Sequence, residues 1–221
     1  MTNNPDLAAC PRFLEFVERY ADDLPAFTRD VCGLNLEPDQ CEAYEAAQRP
    51  EGRVVISTYI AGLYGNELKT SVLAPVALWH FFTRFKSTTV VVLPRGRSAC
   101  RRQYRDLLNR VQEGPFGWLC SGMRVNNERF YRSFEWQLSF RSVSAPEALC
   151  GYWAEHLMWL VEAADQLGET FFQVMKTSCR GRNAIVLLAD QFESNGTAPL
   201  HAGGGWAVHL IERAAVMQTP A

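Results

Sequence analysis

The sequence predicts an α/β fold, in which a mostly parallel β-sheet is flanked by helices. Short runs of β-branched and other apolar residues recur along the chain, as in strands buried on both faces of a parallel sheet. Helical patterns separate these runs, and strands that alternate with helices indicate βαβ units. The predicted strands of this sheet are Arg53–Ser57, Thr88–Leu93, His156–Val161 and Asn183–Leu188.

The first fifty residues predict helices. Apolar residues recur with helical spacing over residues 11–31, which predicts one amphipathic helix limited by Pro25 and a short element after it. A second helix is predicted over Asp39–Gln48, with Pro38 near its first turn. We therefore expect residues 1–50 to form a helical N-terminal arm.

The predicted α/β domain covers residues 51–200, and residues 201–221 form a C-terminal tail with a short helix at Trp206–Ala215. Within the domain, residues 69–85 predict a helix that is apolar nearly all round and is kinked at Pro75. The remaining predicted elements are helices at Ser98–Gln112 and Glu169–Ser178 and two shorter, antiparallel strands at Arg124–Val125 and Phe134–Phe140.

A glycine-containing segment follows the first predicted strand. Gly62 and Gly65 precede Lys69 and Thr70, which stand at the head of an apolar helix. A phosphate-binding P-loop has the same layout: a strand, a glycine-containing loop, a Lys-Thr pair and a helix. The motif itself requires a glycine directly before the lysine, and Leu68 stands there. Because a P-loop binds phosphate through bare backbone N–H groups, we interpret this segment as a P-loop whose nucleotide site has decayed.

Composition and charge indicate a soluble globular protein. Of the 221 residues, 48% are hydrophobic and 21% charged, and the formal net charge is −2. Residues 1–52 carry a balance of −7 and residues 53–182 a balance of +7. The seven cysteines are scattered and form no metal-binding spacing, so we expect buried thiols, no metal site and a cytoplasmic location. We expect no membrane span.

The order of these motifs resembles that of the ATPase domain of phage terminase large subunits, over roughly residues 36–200. Terminases have a Gln near the adenine before the first strand, and the corresponding residue here is Gln40. They also have a strand followed by Asp-Glu-Ala and a later strand that ends in Gly-Asn-Pro. The segments that carry the resemblance are Leu36–Gln40, Val54–Ser71, Val90–Arg97, Ala148–Trp153, Leu157–Ala164 and Ile185–Gln191.

The departures from the terminase pattern fall on catalytic positions. Glu162 occupies the position of the metal-binding Asp, and Ala163 that of the Glu that activates water; the alternative register puts Val161 and Glu162 there. Losing such a general base typically costs about 10²–10⁴-fold in rate. The Gly-Asn-Pro position is occupied by Ala189-Asp190-Gln191. The resemblance thus implies a vestigial nucleotide site with no catalytic residue: Gln40, Gly62, Gly65, Lys69, Thr70 and Glu162.

Terminases continue into a nuclease domain. The last acidic residues of this chain, Asp190, Glu193 and Glu212, are too few and too scattered to build a two-metal site. We therefore expect no nuclease activity and no metal ligands.

One turn and helix carry six arginines against the single acidic residue Asp106. This basic patch could bind nucleic-acid phosphates or an acidic protein surface. A second candidate partner surface is the aromatic-rich segment Phe130–Trp136. The four histidines show no ligand spacing, so structural roles are expected for them. The residues of the basic patch are Arg95, Arg97, Arg101, Arg102, Arg105 and Arg110.

The sequence favours a non-catalytic phage or prophage protein that binds another protein or a nucleoprotein complex, with no cofactor. By analogy at the level of fold, inhibitors of host defence, including anti-CRISPR proteins, belong to this class. One alternative is a weak ATPase that assists phage DNA packaging and uses ATP and Mg²⁺ at Lys69, Thr70 and Glu162. Another is a nucleotide-free module that binds nucleic acid through Arg95–Arg110.

Overall fold

An eight-stranded sheet with helices on both faces forms the centre of the part of the chain that is described in a computed structural model. The predicted α/β fold, with its mostly parallel sheet and flanking helices, is therefore confirmed. The described residues are 7–49, 53–58, 72–93, 100–162, 164, 167–178, 184–189, 207–211 and 216–217.

Six α-helices lie within these residues. They are α1 (Pro11–Tyr20), α2 (Leu24–Asp30), α3 (Pro38–Ala47), α4 (Leu73–Thr83), α5 (Cys100–Glu113) and α6 (Glu169–Ser178). None of the helices described here is both long enough and apolar enough to cross a membrane.

The described strands belong to two sheets. They are β1 (Leu34–Asn35), β2 (Arg53–Thr58), β3 (Thr88–Leu93), β4 (Arg124–Val125), β5 (Arg129–Tyr131), β6 (Gln137–Ser142), β7 (Leu157–Val161), β8 (Ala184–Ala189), β9 (Ala207–Ile211) and β10 (Val216–Met217). The large sheet has the order β4-β5-β6-β3-β7-β8-β2-β9, and β1 pairs with β10 in a separate antiparallel ribbon.

Six consecutive strands of the large sheet, from β6 to the edge strand β9, run parallel. Strand β3 pairs in parallel with β6 and β7, and β2 pairs in parallel with β8 and β9. Strands β7 and β8 also pair in parallel and join the two groups. Only β5 breaks this direction, because it pairs antiparallel with both β4 and β6. The carboxyl ends of the six parallel strands therefore meet at one edge of the sheet.

Alternate residues of the parallel strands pack on opposite faces. In β3, Val91 and Leu93 join the larger core with helices α1 to α5, whereas Val90 and Val92 join the smaller core with α6. Strand β7 divides in the same way, with Leu160 on the larger-core face and Val161 on the other. This alternation follows from the two-residue period of a strand and decides which helix each side chain meets.

The N-terminal helices pack into the larger core. Phe13, Phe16 and Tyr20 lie on one face of α1, since their spacing of three and four residues matches the helical period. The indole N–H of the buried Trp79 on α4 donates a 2.8 Å hydrogen bond to the carbonyl of Tyr20. Helices α1, α2 and α3 confirm that this region is helical, and they share their hydrophobic core with the sheet.

Two predictions about proline were wrong. Pro25 does not end a long helix but lies in the first turn of α2, where Asp23 caps the helix by accepting from the backbone N–H of Ala26 at 2.8 Å. Pro75 does not kink α4, because the described helix begins at Leu73 and places Pro75 in its first turn. Backbone N–H groups in a first turn have no intrahelical partner, so proline costs nothing there.

The predicted helix at Trp206–Ala215 was also wrong. Residues Ala207–Ile211 form the edge strand β9, which pairs in parallel with β2 from Val54↔Ala207 to Thr58↔Ile211. A short apolar run fits either secondary structure, and pairing with a neighbouring strand decides the outcome. The strand predicted at Phe134–Phe140 is shifted along the chain, since β6 runs over Gln137–Ser142.

Candidate functional site

The carboxyl edge of the sheet brings together the end of β7 and the end of β2, the strand that precedes the predicted P-loop. Val161 of β7 and Val55 of β2 both pair with Leu187 of β8, so the two strands are in the same register on either side of β8. With neighbouring strands about 4.8 Å apart, β7 and β2 lie roughly 10 Å apart at this edge. Ligands of open α/β sheets bind in the crevice at the carboxyl ends of the strands.

Glu162 follows β7 directly at this edge. It is 4% exposed, and its backbone N–H donates a 3.0 Å hydrogen bond to the carbonyl of Val92 in β3. Its side-chain Oε1 accepts a 2.6 Å hydrogen bond from the hydroxyl of Tyr104. Tyr104 is fully buried on α5, where Phe140 packs edge-on against its ring. A buried carboxyl group is expensive to leave unpaired, and this hydroxyl supplies a donor.

The side chain of Glu162 has little access to solvent. Mg²⁺ keeps several waters in its coordination shell and takes one or two carboxylates, whereas Glu162 is almost fully enclosed. Within the described residues, no three His, Cys, Asp or Glu side chains are close enough together to hold a metal ion. The adjacent position is Ala163, which brings no second acid.

Gln40 has a structural contact at the start of α3. Its Oε1 accepts a 3.1 Å hydrogen bond from the backbone N–H of Glu37, and the side chain is buried. This contact is half of a capping box, in which the side chain at the third helical position satisfies the N-cap backbone. Its role near an adenine, which the sequence resemblance implies, stays a prediction.

Four residues of the predicted nucleotide site, Gly62, Gly65, Lys69 and Thr70, lie outside the described residues. The same is true of Arg95 and Arg97 in the predicted basic patch.

The described arginines of the basic patch fall into separate groups on α5. Arg101 and Arg105 reach the turn between β4 and β5, where they donate to the carbonyls of Asn127 at 3.4 Å and Asn126 at 3.0 Å. Arg102 is exposed and lies 3.6 Å from Asp106, one helical turn along. Two of the arginines thus hold a hairpin turn, which their helical spacing could not reveal.

Arg110 lies near the C-terminal end of α5, close to the buried thiol of Cys32. Burial raises the pKa of that thiol, and the positive charge of Arg110 opposes the shift in part. The basic patch is therefore spread along the helix, and its binding role stays a prediction.

Sequence reasoning missed the contact between Tyr104 and Glu162. Tyr104 was placed on the apolar side of its helix, and Glu162 directly after a buried strand. These two observations were a usable signal, since a carboxyl group that follows a buried strand needs a donor, and Tyr104 is the hydroxyl-bearing residue on that apolar side.

The α/β fold described above is similar to that of phage large terminases. The structure is similar to the large terminase of bacteriophage HK97, with a TM-score of 0.51 and 16% sequence identity. It also matches the large terminase of the thermophilic bacteriophage D6E, with a TM-score of 0.47 and 11% identity over 70% of this chain and 39% of that one.

The similarity to the HK97 protein covers 77% of this chain and 38% of the terminase, so the chain spans about two fifths of that protein. At this identity the comparison establishes the fold. The sequence matches no protein-family model and no curated protein sequence.

Proposed function

We propose that this chain is a non-catalytic, terminase-like protein of phage or prophage origin, a pseudo-ATPase that binds another protein or a nucleoprotein complex. The observation that carries this proposal is the buried hydrogen bond between Tyr104 and Glu162. This hydrogen bond gives Glu162, the acid at the end of β7, a structural partner. The next residue is Ala163, at the position where the terminase pattern has a general base.

ATP hydrolysis by this fold requires two functions from the end of this strand. One group holds Mg²⁺, and a second positions or deprotonates the attacking water. Ala163 has no group that accepts a proton, and Glu162 is 4% exposed with a hydroxyl against its oxygen. The sheet that would position these groups is intact, so the geometry favours retention of the fold without its chemistry.

Exposed aromatic side chains support a protein-binding role. Phe134 and Trp153 are each 82% exposed, and Phe85 is also exposed. Each lies three or four residues before one of the neighbouring strands β6, β7 and β3. Large apolar side chains exposed to water mark interaction sites when they cluster, and aromatic residues are enriched in protein interfaces.

The partner class that we name is a host-defence complex, including CRISPR effectors, which would make this chain an anti-CRISPR protein. This assignment rests on an analogy of fold and charge. A protein that carries exposed aromatic residues and a basic helix can contact both the protein and the nucleic acid of such a complex.

Mg-ATP tests the pseudo-ATPase part of the proposal. A ligand at one hundred times its Kd adds about 2.7 kcal/mol to the free energy of unfolding. We expect millimolar Mg-ATP to leave the melting temperature unchanged and to give no phosphate release above that of the Glu162→Gln variant. Phosphate release that depends on Glu162 would instead identify a weak ATPase. This second candidate function is motivated by the position of Glu162 at the carboxyl edge of the sheet.

Binding to a defence complex is tested with Phe134→Ser and Trp153→Ser. Cells that carry an active CRISPR system and express the chain should be infected by a targeted phage, and the double variant should lose this effect. Leu14→Ser is the matched control, since Leu14 is an exposed apolar residue of α1. Equal protection of the phage by both variants would count against the aromatic surface.

The nucleic-acid alternative is tested separately. Retention on DNA that falls with salt and is lost in Arg102→Ala would support it, because phosphate contacts release counterions on binding. Arg102 suits this test since its side chain is exposed.

A further inference from the structure

A cleft opens at the amino edge of the sheet, opposite the edge that carries Glu162. Its volume is about 500 Å³, within the range of small-molecule sites. The end of α3, the end of α4 and the start of β7 form its walls. The carbonyl of His156, which lines the cleft, accepts from the backbone N–H of Thr88 where β3 begins. Glu162 lies six residues further along, roughly 20 Å away at the rise of a strand.

Four basic residues contribute to the lining of this cleft. His80, His156, Arg84 and Arg49 all contribute to it. Among the described residues that line the cleft, the one carboxylate is that of Asp22, whose side chain is 95% exposed and lies 3.1 Å from Arg84. Arg84 and Arg49 carry positive charge and the one acid is solvated, so the cleft is a favourable place for a negative charge.

Arg84 is held in a defined orientation. One of its terminal nitrogens, Nη2, donates to the carbonyl of Ala21 at 2.7 Å and to Asp22, and the guanidinium lies over the ring of Trp79 at 5.2 Å. A guanidinium has five N–H donors in a rigid fork, so these contacts leave donors for a ligand. A fixed fork costs little entropy when it binds an anion.

His80 lies deeper in the cleft and is 5% exposed. Its Nδ1 is 2.8 Å from Thr89 Oγ1 on β3, which fixes the ring. No hydrogen bond of Nε2 is found within the described part of the chain, and the residue lines the cleft. Burial lowers the pKa of His80 well below its usual value, and the nearby Arg84 and His156 lower it further.

The other walls of the cleft are apolar. Trp79, Phe85 and Met158 line it beside the basic groups. Small-molecule sites typically combine apolar walls with a few polar groups that fix orientation.

We propose that this cleft binds a small ligand in which a carboxylate or phosphate group is attached to an apolar, ring-sized body. The anionic group lies between Arg84, Arg49 and the Nε2 atom of His80, and the apolar body packs on Trp79 and Phe85. This site is separate from the carboxyl edge, and it stands whether or not the chain hydrolyses ATP.

Histidine ring signals in NMR spectra give a direct test, since the chain has only four histidines. Phenylphosphate and benzoate serve as probes, and benzyl alcohol is the neutral control. We expect either anion to shift the His80 and His156 signals in a saturable way while His209, on β9, does not move. A response to one anion alone identifies the preferred group. No saturable shift with either anion, or an equal shift with benzyl alcohol, overturns the proposal.

Two variants test the residues that bind the anion. Arg84→Gln and Arg49→Ala should each weaken binding of the effective probe about tenfold, and Arg29→Ala, an exposed arginine outside the cleft, should leave it unchanged. Because Arg84 also contacts Ala21, the Arg84→Gln variant can affect folding. Arg49 is exposed, so the Arg49→Ala variant tests binding independently of folding. If the Arg49→Ala variant and the Arg84→Gln variant each bound the probe with full affinity, the proposal would be contradicted.

The pH dependence provides a second readout. A bound anion favours the charged form of His80, so the NMR titration midpoint of His80 should rise when benzoate saturates the site. Arg84, Arg49, His156 and Asp22 face the same cleft; the arginines keep their charge throughout, and His156 is followed through its own ring signal. An unchanged His80 midpoint at saturating benzoate would overturn the role assigned to this ring.

Discussion

The hydroxyl of Tyr104 lies 2.6 Å from Oε1 of Glu162, and this contact joins helix α5 to the end of strand β7. Both side chains are buried, and they are 58 residues apart in sequence. Glu162 shares the face of the sheet on which Leu160 packs, because alternate strand residues point to the same side. The contact therefore ties the acid at the carboxyl edge of the sheet into the larger hydrophobic core.

Removing the Tyr104 hydroxyl should destabilise the fold. Tyr104→Phe leaves the buried oxygen of Glu162 without this donor, and such a loss typically costs about 1–3 kcal/mol. The free energy of unfolding from urea titration checks this value. Tyr131→Phe, at a partly exposed tyrosine, is the matched control and should stay within about 0.5 kcal/mol of wild type. Equal stability of the two variants would mean that the hydrogen bond contributes little.

Stability should fall as the pH is lowered through the range in which the unfolded chain protonates His80. The folded-state pKa of His80 lies below the usual 6.5, chiefly because burial disfavours the charged ring. Below about pH 6.5 the unfolded state therefore binds a proton that the folded state does not, and the free energy of unfolding decreases by up to about 1.4 kcal/mol per pH unit. This loss continues until the pH reaches the folded-state pKa.

Urea titrations between pH 7.5 and 4.5, in buffers without phosphate or carboxylate, measure this dependence. His80→Gln should show a shallower slope than wild type, because its side chain does not titrate. Identical slopes for the two proteins would contradict the assignment of this proton uptake to His80.

The indole of Trp79 should contribute to the docking of α1 on α4. Trp79→Phe removes the 2.8 Å hydrogen bond to the carbonyl of Tyr20 and leaves a smaller ring in a fully packed site. We expect a loss of about 1–3 kcal/mol in the free energy of unfolding. Trp153→Phe, where the ring is exposed, should change stability by less than about 0.5 kcal/mol. A similar loss in both variants would argue against this contact.

The arginines of α5 should separate into structural and exposed ones. Arg105→Ala removes the donor to the carbonyl of Asn126 and should increase hydrogen exchange in the turn between β4 and β5. Arg102→Ala should leave that exchange unchanged, since Arg102 contacts Asp106 on its own helix. Mass spectrometry of peptides that cover residues 124–131 measures the difference. Faster exchange in both variants, or in neither, would show that Arg105 does not hold this turn.

The local patterns of the sequence were sufficient to predict the parallel sheet and most of the helices. Continuous apolar runs such as Thr88–Leu93 are buried on both faces and need no distant information to be recognised. The helix start marked by Pro38 was close to the observed one for the same reason. The kink predicted at Pro75 was wrong because the energetic cost of a proline depends on where the helix begins.

The sequence by itself determined the α/β architecture and the presence of an alanine, which has no proton-accepting group, directly after Glu162, since apolar periodicity and side-chain chemistry are properties of neighbouring residues. Only the tertiary structure decided that Ala207–Ile211 pairs with β2 as a strand, that Tyr104 donates to Glu162, and that His80 and Arg84 line one cleft with His156. Each of these depends on contacts between segments far apart in the chain. Such contacts form when apolar surfaces and polar groups from distant segments are buried against each other during folding. A local sequence pattern does not specify which distant segment that will be.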